Sequence, residues 1–211
     1  MSPRQRRRHR RAQGSVGKKI LLAFTVLIVA IGIGAASVGL WVLDVAADAP
    51  DIDSLKPQES GASSQVFAAD GSSLGYVQSD VLRTPVPLKK IPERMQKATI
   101  AIEDENFYEH SGVDYGAIVR AAIKNVEAGE VKQGGSTITQ QLVRNIYITD
   151  PEDTIERKIV EAKLAQEYEE KYSKDEILDQ YLNSAPYGTN DGRTAVGVQA
   201  ASQVFFNKDV S

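Results

Sequence analysis

Two strings of residues equip this chain for chemistry: Glu103-Asp104-Glu105-Asn106-Phe107-Tyr108-Glu109-His110-Ser111-Gly112 and Gly134-Gly135-Ser136-Thr137-Ile138-Thr139-Gln140-Gln141. The first sets adjacent carboxylates beside aromatic rings. The second puts a glycine turn and hydroxyls before an apolar-periodic stretch, so backbone N–H groups, hydroxyl donors and the positive end of a helix dipole would converge on an anion. A third string, Arg157-Lys158-Ile159-Val160-Glu161, adds two cations and another carboxylate. Carboxylates and an anion cradle, both outside an apolar run long enough to cross a bilayer, point to chemistry on a lipid-linked pyrophosphate.

Each string also has a plainer reading. Glu103 and Asp104 at a helix end point in different directions, so one of them would face a reacting atom, and Glu103 follows the apolar stripe Met95, Ala98, Thr99 and Ile102 most directly. A carboxylate in a partly dry cleft is poised to act as general base toward a sugar hydroxyl; the alternative is an acidic helix terminus in water. Phe107, Tyr108 and His110 would follow in a loop, the rings walling the cleft and His110 holding the loop. The glycine-hydroxyl string lacks the lysine and spacing of a nucleotide P-loop, and an ordinary serine-capped turn competes with it. Gln140, Gln141, Arg144 and Asn145 argue for a site, because a turn needs no such dense polar helix face; Gln141 and Arg144 share that face. Arg157 and Glu161, four apart, suit a surface ion pair as well as a pair of cations, with Lys158, that bind a diphosphate while Glu161 orients them.

The elements that would position these residues are mainly helical. Residues 65–71 and 74–77 predict a small hairpin around Asp70-Gly71. Pro92 suits the first turn of a helix carrying the stripe toward Glu103. Ile118, Ala121, Ala122 and Val126 mark a second helix ending before Gly129, and Ser136 caps a third through Leu142 and Val143. Asp153 and Glu156 start a longer helix with Val160, Leu164, Tyr168 and Tyr172 at fours. Ser173-Lys174-Asp175-Glu176 reads as a capping box for a helix whose core face is Ile177, Leu178, Tyr181 and Leu182. Gly188, Asn190 and Gly192 read as a loop before a last helix over Val198, Ala201, Ser202 and Phe205.

The net charge of −3 hides a division: Arg4, Arg6, Arg7, Arg8, Arg10, Arg11, Lys18 and Lys19 precede any acidic residue. From Ile20 to Leu43 no side chain is charged, and as a helix that run is about 36 Å long, enough to cross a hydrocarbon core of about 30 Å. It exceeds a signal-peptide core of roughly 7–15 residues. The reading is a basic cytoplasmic tail over 1–19, a transmembrane helix over 20–43, a linker over 44–63 and an exported domain over 64–211, since positive flanks are retained inside. The arginines then serve topology and lipid headgroups, not nucleic acid. With no cysteine and two histidines, disulfide, thiolate-metal and histidine-rich metal frameworks are excluded.

Together the strings resemble the peptidoglycan glycosyltransferase domain, family 51, of class A penicillin-binding proteins and monofunctional transglycosylases. The resemblance runs from about Ser64 to Phe206 and includes Val86-Pro87-Leu88 with Ile91-Pro92. Glu103 to Gly112, Gly134 to Asn145, Arg157 to Glu161, Ser173 to Asn183 and Gly197 to Phe206 resemble its five motifs, in order. It implies a mainly α, lysozyme-like fold with a small membrane-proximal jaw, and polymerisation of lipid II with inversion and release of undecaprenyl pyrophosphate. By the same resemblance Glu103 is the base toward the acceptor and Glu161 assists on the donor side, through the diphosphate or a divalent ion (Mg or Mn). Ser136, Thr137, Gln141, Arg144, Asn145, Arg157 and Lys158 line the cleft, while Asp104, Phe107 and His110 support the first motif.

The implied partners are lipid II, the growing glycan strand, membrane lipids and cell-wall synthesis proteins, at the cell membrane. Arg144 departs from the family's usual lysine, replacing a point charge by a planar fork that still binds phosphate. The chain stops at Ser211, soon after the fifth motif; a truncated domain is the expectation. Two competing readings are a catalytically impaired anchor for cell-wall partners and a lysozyme-like glycan hydrolase. The hydrolase has no need of cations around an anion cradle.

Overall fold

The computed structural model describes residues 3–58, 64–76, 81–128, 134–148, 152–190 and 192–211. The chain forms two compact units, Met1–Asp48 and Ala49–Ser211. The first is one helix, α1 (Pro3–Asp48), with Ile20, Leu22, Phe24, Ile31 and Leu40 all exposed. Among the described residues one helical stretch, Gly17–Ser54, is long and apolar enough to cross a membrane.

The second unit is mainly helical, as the periodicity predicts. A hairpin of β1 (Gln65–Phe67) and β2 (Ser73–Tyr76) turns at Asp70-Gly71, with Gly71 at φ 83° and the Asp70 carboxylate accepting from Ser72 N–H at 2.9 Å. Then follow β3 (Val81–Arg83), α2 (Glu93–Glu103), α3 (Tyr115–Ala128), α4 (Ile138–Tyr147), α5 (Ile155–Lys171), α6 (Lys174–Ser184), β4 (Pro186–Asn190), β5 (Arg193–Val196) and α7 (Val198–Phe206). Val77 and Gly129, which the sequence reading used as element ends, lie outside the described residues.

Helix α4 is the centre of the unit. It has only ten residues, too few to persist alone in water, so its stability comes from its caps and its packing. Ile138, Leu142 and Val143 are fully buried against Leu164, Ala165 and Tyr168 of α5 and Ile177, Leu178 and Leu182 of α6. Truncating any one of these large apolar side chains to alanine costs about 2–5 kcal/mol. Both ends of that framework are fixed locally: Ser173 and Glu176 form the expected capping box at the start of α6, and Thr154 caps α5.

Several expectations are corrected. The cap of α4 is Thr137, not Ser136, because only Thr137 has a glutamine three residues on to complete a capping box. Thr154, not Asp153, starts α5. The stripe on α2 holds only in part: Met95 and Thr99 face inward as expected, but Ala98 is exposed and Ile102 is 81% exposed, and Ile100 packs against the core instead. Gly188 and Asn190 belong to a strand, not a loop. β4 pairs antiparallel with β5, which pairs parallel with β3, and this small sheet buries Leu82 and Ala195 against Ala200 and Ala201 of α7.

Part of the expected linker also folds onto the domain. Ile52 is buried and its N–H donates to Glu167 at 3.0 Å, while Lys163 donates to the carbonyl of Ala49 at 2.8 Å.

Candidate active site

The first motif leaves the end of α2 in two directions. Glu103 closes the helix with its side chain exposed. Asp104, the next residue, leaves the helix at φ −160° and turns inward, where it is buried. Its Oδ2 accepts from Ile138 N–H at 3.0 Å, and His110 Nε2 sits 3.0 and 2.9 Å from the two carboxylate oxygens. A buried carboxylate at a helix N-terminus satisfies an orphan donor and meets the positive end of the dipole. The first motif is thereby tied to the start of α4.

That arrangement changes how the glycine-hydroxyl string works. Thr137 is 2% exposed. Its hydroxyl accepts from Gln140 N–H at 3.1 Å and donates to the carbonyl of Gly112 at 2.6 Å, while Gln140 Oε1 accepts from Thr137 N–H at 2.9 Å. The helix start is therefore occupied by the protein's own groups, and Thr137 holds α4 instead of lining a cleft. Phe107 also differs from expectation. It is fully buried in the core, with Lys174 Nζ 4.5 Å over its ring, and does not wall a cleft; the exposed ring of the pair is Tyr108, bonded to Asp175.

Gly112 closes this corner. At φ +77° it occupies a conformation L side chains rarely adopt, and a Cβ there would meet the Ala165 carbonyl carbon at 2.7 Å. Gly112→Ala is expected to lower stability by at least the roughly 1–3 kcal/mol of the backbone strain alone, with further loss from the overlap with α5. Urea unfolding of the variant checks this; an unchanged midpoint contradicts it.

Two groups of polar side chains flank α4. On one side, Gln141 Nε2 donates to Glu103 Oε2 at 2.9 Å, and Tyr181 of α6 donates its hydroxyl to Gln141 Oε1 at 3.0 Å. Burial, and then the charge of Glu103, raise the pKa of the Tyr181 phenol, with Arg144 pulling the other way. The same two causes push Tyr187 of β4 up to about 12. Glu103, Gln141, Arg144, Tyr181 and Tyr187 thus share one neighbourhood. Asn145, four residues after Gln141, is half-buried on α4.

On the other side, Lys158 Nζ donates to Ser136 Oγ at 3.2 Å and to Glu161 Oε2 at 2.8 Å, and Arg157 pairs with Glu161 Oε1 and with Asp153. Glu161 is 0% exposed, the Arg157 side chain 13% and the Lys158 side chain 38%. This is not the surface ion pair that spacing alone allowed. A fully buried carboxylate clamps two cations, and Lys158 is the one that reaches toward solvent, beside Ser136. Both oxygens of Glu161 already face cations, so its donor set does not fit a divalent ion. Among the described residues no cluster of three histidine, aspartate or glutamate side chains could hold a metal.

Ser136 and Gln141 lie either side of the first turn of α4, so one helix start joins the two groups. Sequence reasoning placed every member of both groups except Tyr181, Tyr187 and Asp153. Tyr181 read as one more core residue at helical spacing; the available signal was its hydroxyl, which a buried tyrosine must satisfy.

The mainly helical domain thus sets an exposed carboxylate and a buried cation clamp on either side of one helix start. A family model described as Transglycosylase matches residues 70–211, and the chain belongs to that family, the peptidoglycan glycosyltransferases of family 51, with its lysozyme-like helical fold. It is similar to penicillin-binding protein 1A of Aquifex aeolicus (39% identical over 92% of this chain and 25% of the relative). It is also similar to penicillin-binding protein 1A of Escherichia coli K12 (42% over 91% and 22%) and penicillin-binding protein 2D of Bacillus subtilis (41% over 90% and 26%). The chain spans about a quarter of the length of these relatives.

Proposed function

We propose that this chain is the glycosyltransferase part of a membrane-anchored penicillin-binding protein, which polymerises lipid II into glycan strands and releases undecaprenyl pyrophosphate. The observation that carries the reading is the pairing of an exposed carboxylate with a cation clamp on either side of the start of α4. Glu103 takes the proton of the acceptor's GlcNAc 4-hydroxyl. The hydroxyl oxygen then bonds to the anomeric carbon of the donor, the elongating glycan, while the bond from that carbon to the diphosphate breaks and the electron pair leaves with the diphosphate. Attack opposite the leaving group inverts the anomeric centre.

The charge that develops on the diphosphate is met by Lys158 with Ser136 and by Arg157 behind it, an arrangement of fixed donors that needs no reorganisation during the reaction, while Arg144 lines the cleft on the Glu103 side of α4. Glu161 serves this chemistry indirectly, by fixing both cations. Asn145 and Gln141 line the acceptor side. Asp104 and His110 hold the helix start against the first motif.

The basic residues before Ile20 keep the N-terminus in the cytoplasm, so α1 crosses the membrane once and the catalytic domain lies outside. Donor and acceptor are both held by lipid tails in the outer leaflet. A tethered enzyme searches a surface instead of a volume, which raises effective concentration. Lipids and other cell-wall synthesis proteins are the accompanying partners.

Helix α3 adds a membrane-facing surface. Tyr115 is 67% exposed, and Ile118, Val119 and Ile123 are exposed beside it; the side chains of Ala122 and Val126 lie outside the described residues. An apolar helix face of this kind suits the headgroup layer. Tyr115→Asp with Ile118→Asp is expected to lower turnover of vesicle-held lipid II at least about tenfold, since losing the roughly 1.5–3 kcal/mol of even one buried apolar side chain has that effect. Turnover equal to wild type in vesicles removes this surface from the account.

Incubation with lipid II in vesicles tests the function. Growing polymer together with released undecaprenyl pyrophosphate supports the transferase. Shortening of preformed glycan supports the hydrolase, and lipid II binding without turnover supports the scaffold.

A further inference from the structure

We propose that Tyr181 is a positioning residue that acts through Gln141 on Glu103, setting which way the glutamine amide faces and so which carboxylate oxygen is left for the acceptor hydroxyl. The proposal rests on the reading of Glu103 as the base. Nothing about helical spacing calls for a tyrosine there: the neighbouring core positions of α6 are Ile177, Leu178 and Leu182, all fully buried, and leucine or phenylalanine would fill the volume without a polar atom to satisfy.

The direction of each hydrogen bond follows from its partners. An ionised carboxylate only accepts. Gln141 must therefore present its NH2 to Glu103 Oε2, at 2.9 Å, which turns its carbonyl oxygen toward α6. That oxygen needs a donor, and the Tyr181 hydroxyl supplies one at 3.0 Å. A flipped amide would instead set its oxygen against the carboxylate and its NH2 against a phenol.

Burial and the charge of Glu103 both keep the phenol protonated, so the donor persists. The relay spans α6, α4 and the last residue of α2. It restrains an otherwise exposed side chain from one side only. With Oε2 engaged by Gln141, Oε1 is the oxygen that receives the proton. Misplacing a reacting group by about an ångström costs up to about a hundredfold in rate, so the loss of the relay acts on turnover and not on binding.

Tyr181→Phe removes one oxygen and keeps the ring. Kinetics on vesicle-held lipid II are measured for the full chain, Tyr181→Phe, Gln141→Ala, the double variant and Glu103→Gln. Tyr181→Phe is expected to lower kcat roughly tenfold to a hundredfold with KM within about twofold, and to cause no further loss in the Gln141→Ala background. A kcat equal to wild type, or an equal further loss in that background, overturns the proposal. Turnover in Glu103→Gln defeats the reading of the base instead, whatever Tyr181→Phe does.

A second readout needs no turnover. In the chain labelled with 15N-glutamine, hydrogen exchange of the Gln141 side-chain amide should rise about tenfold in Tyr181→Phe, the effect of about 1.4 kcal/mol on an opening equilibrium. Unchanged exchange overturns the relay even if the kinetics are silent.

Discussion

Glu103→Gln is expected to abolish polymerisation, lowering turnover by roughly a hundredfold to ten-thousandfold, the range a positioned general base contributes. The substitution keeps the length and shape of the side chain and removes the only lone pair basic enough to take the acceptor proton. Glu103 is not part of the core: it ends α2, its side chain is exposed, and the neighbouring carboxylate, Asp104, makes the bonds that hold the helix start. The variant should therefore fold and bind lipid II as wild type does. A matched pair of measurements, turnover and lipid II affinity, separates loss of the base from loss of the site. Wild-type turnover removes Glu103 from its role. Loss of affinity together with turnover makes it a binding residue.

Glu161 predicts a different pattern, because here stability and rate fall together. The carboxylate is fully buried and clamps Arg157 and Lys158, at 2.8 Å in the case of Lys158. Removing one partner from a buried pair leaves charge uncompensated, at a cost of about 3–5 kcal/mol, against less than about 1 kcal/mol for an exposed pair. Glu161→Gln is expected to unfold with a midpoint lower by on the order of ten degrees. It should also lose much of its turnover, since Lys158 is no longer held beside Ser136. Replacing Arg157 and Glu161 together by leucine should cost less stability than Glu161→Gln alone, while still losing turnover. A thermal midpoint within a degree or two of wild type for Glu161→Gln would mean that the clamp is not the buried pair described here.

Much of this was legible in the sequence where local chemistry decides structure. Ser173 and Glu176 have the spacing of a capping box, and they form one. Ile177, Leu178, Tyr181 and Leu182 have the period of a buried helix face, and they are buried. The same rule, applied to the second motif, selects Thr137 over Ser136, since only Thr137 has a glutamine three residues later; the presence of two adjacent hydroxyls hid it. Longer-range pairing was less legible. Gly188 and Asn190 are turn-forming residues, yet they sit in a strand because β5 offers a partner on each edge, and β3 reaches it from more than a hundred residues earlier in the chain. Ile102 looked inward by period, but α2 ends one residue later and the core meets the face carrying Ile100.

At the site, the identity of the polar residues was legible and their division of labour was not. Spacing put Arg157 and Glu161 on one helix face but could not tell a surface pair from a buried clamp, because burial depends on what α4 and α5 bring against them. Likewise the pair Glu103-Asp104 could be expected to diverge. That one carboxylate would face solvent while the other fastened a helix thirty-four residues away follows only from the packing.

One helix start serves two ends of a single reaction, and a structure of the protein bound to a non-reactive lipid II analogue would show both ends occupied together. The diphosphate is expected within hydrogen-bond distance of Lys158 Nζ and Ser136 Oγ, with an acceptor sugar hydroxyl at Glu103 Oε1. A diphosphate seated away from Lys158, or a sugar chain lying across Glu103 with no phosphate near the clamp, would contradict it.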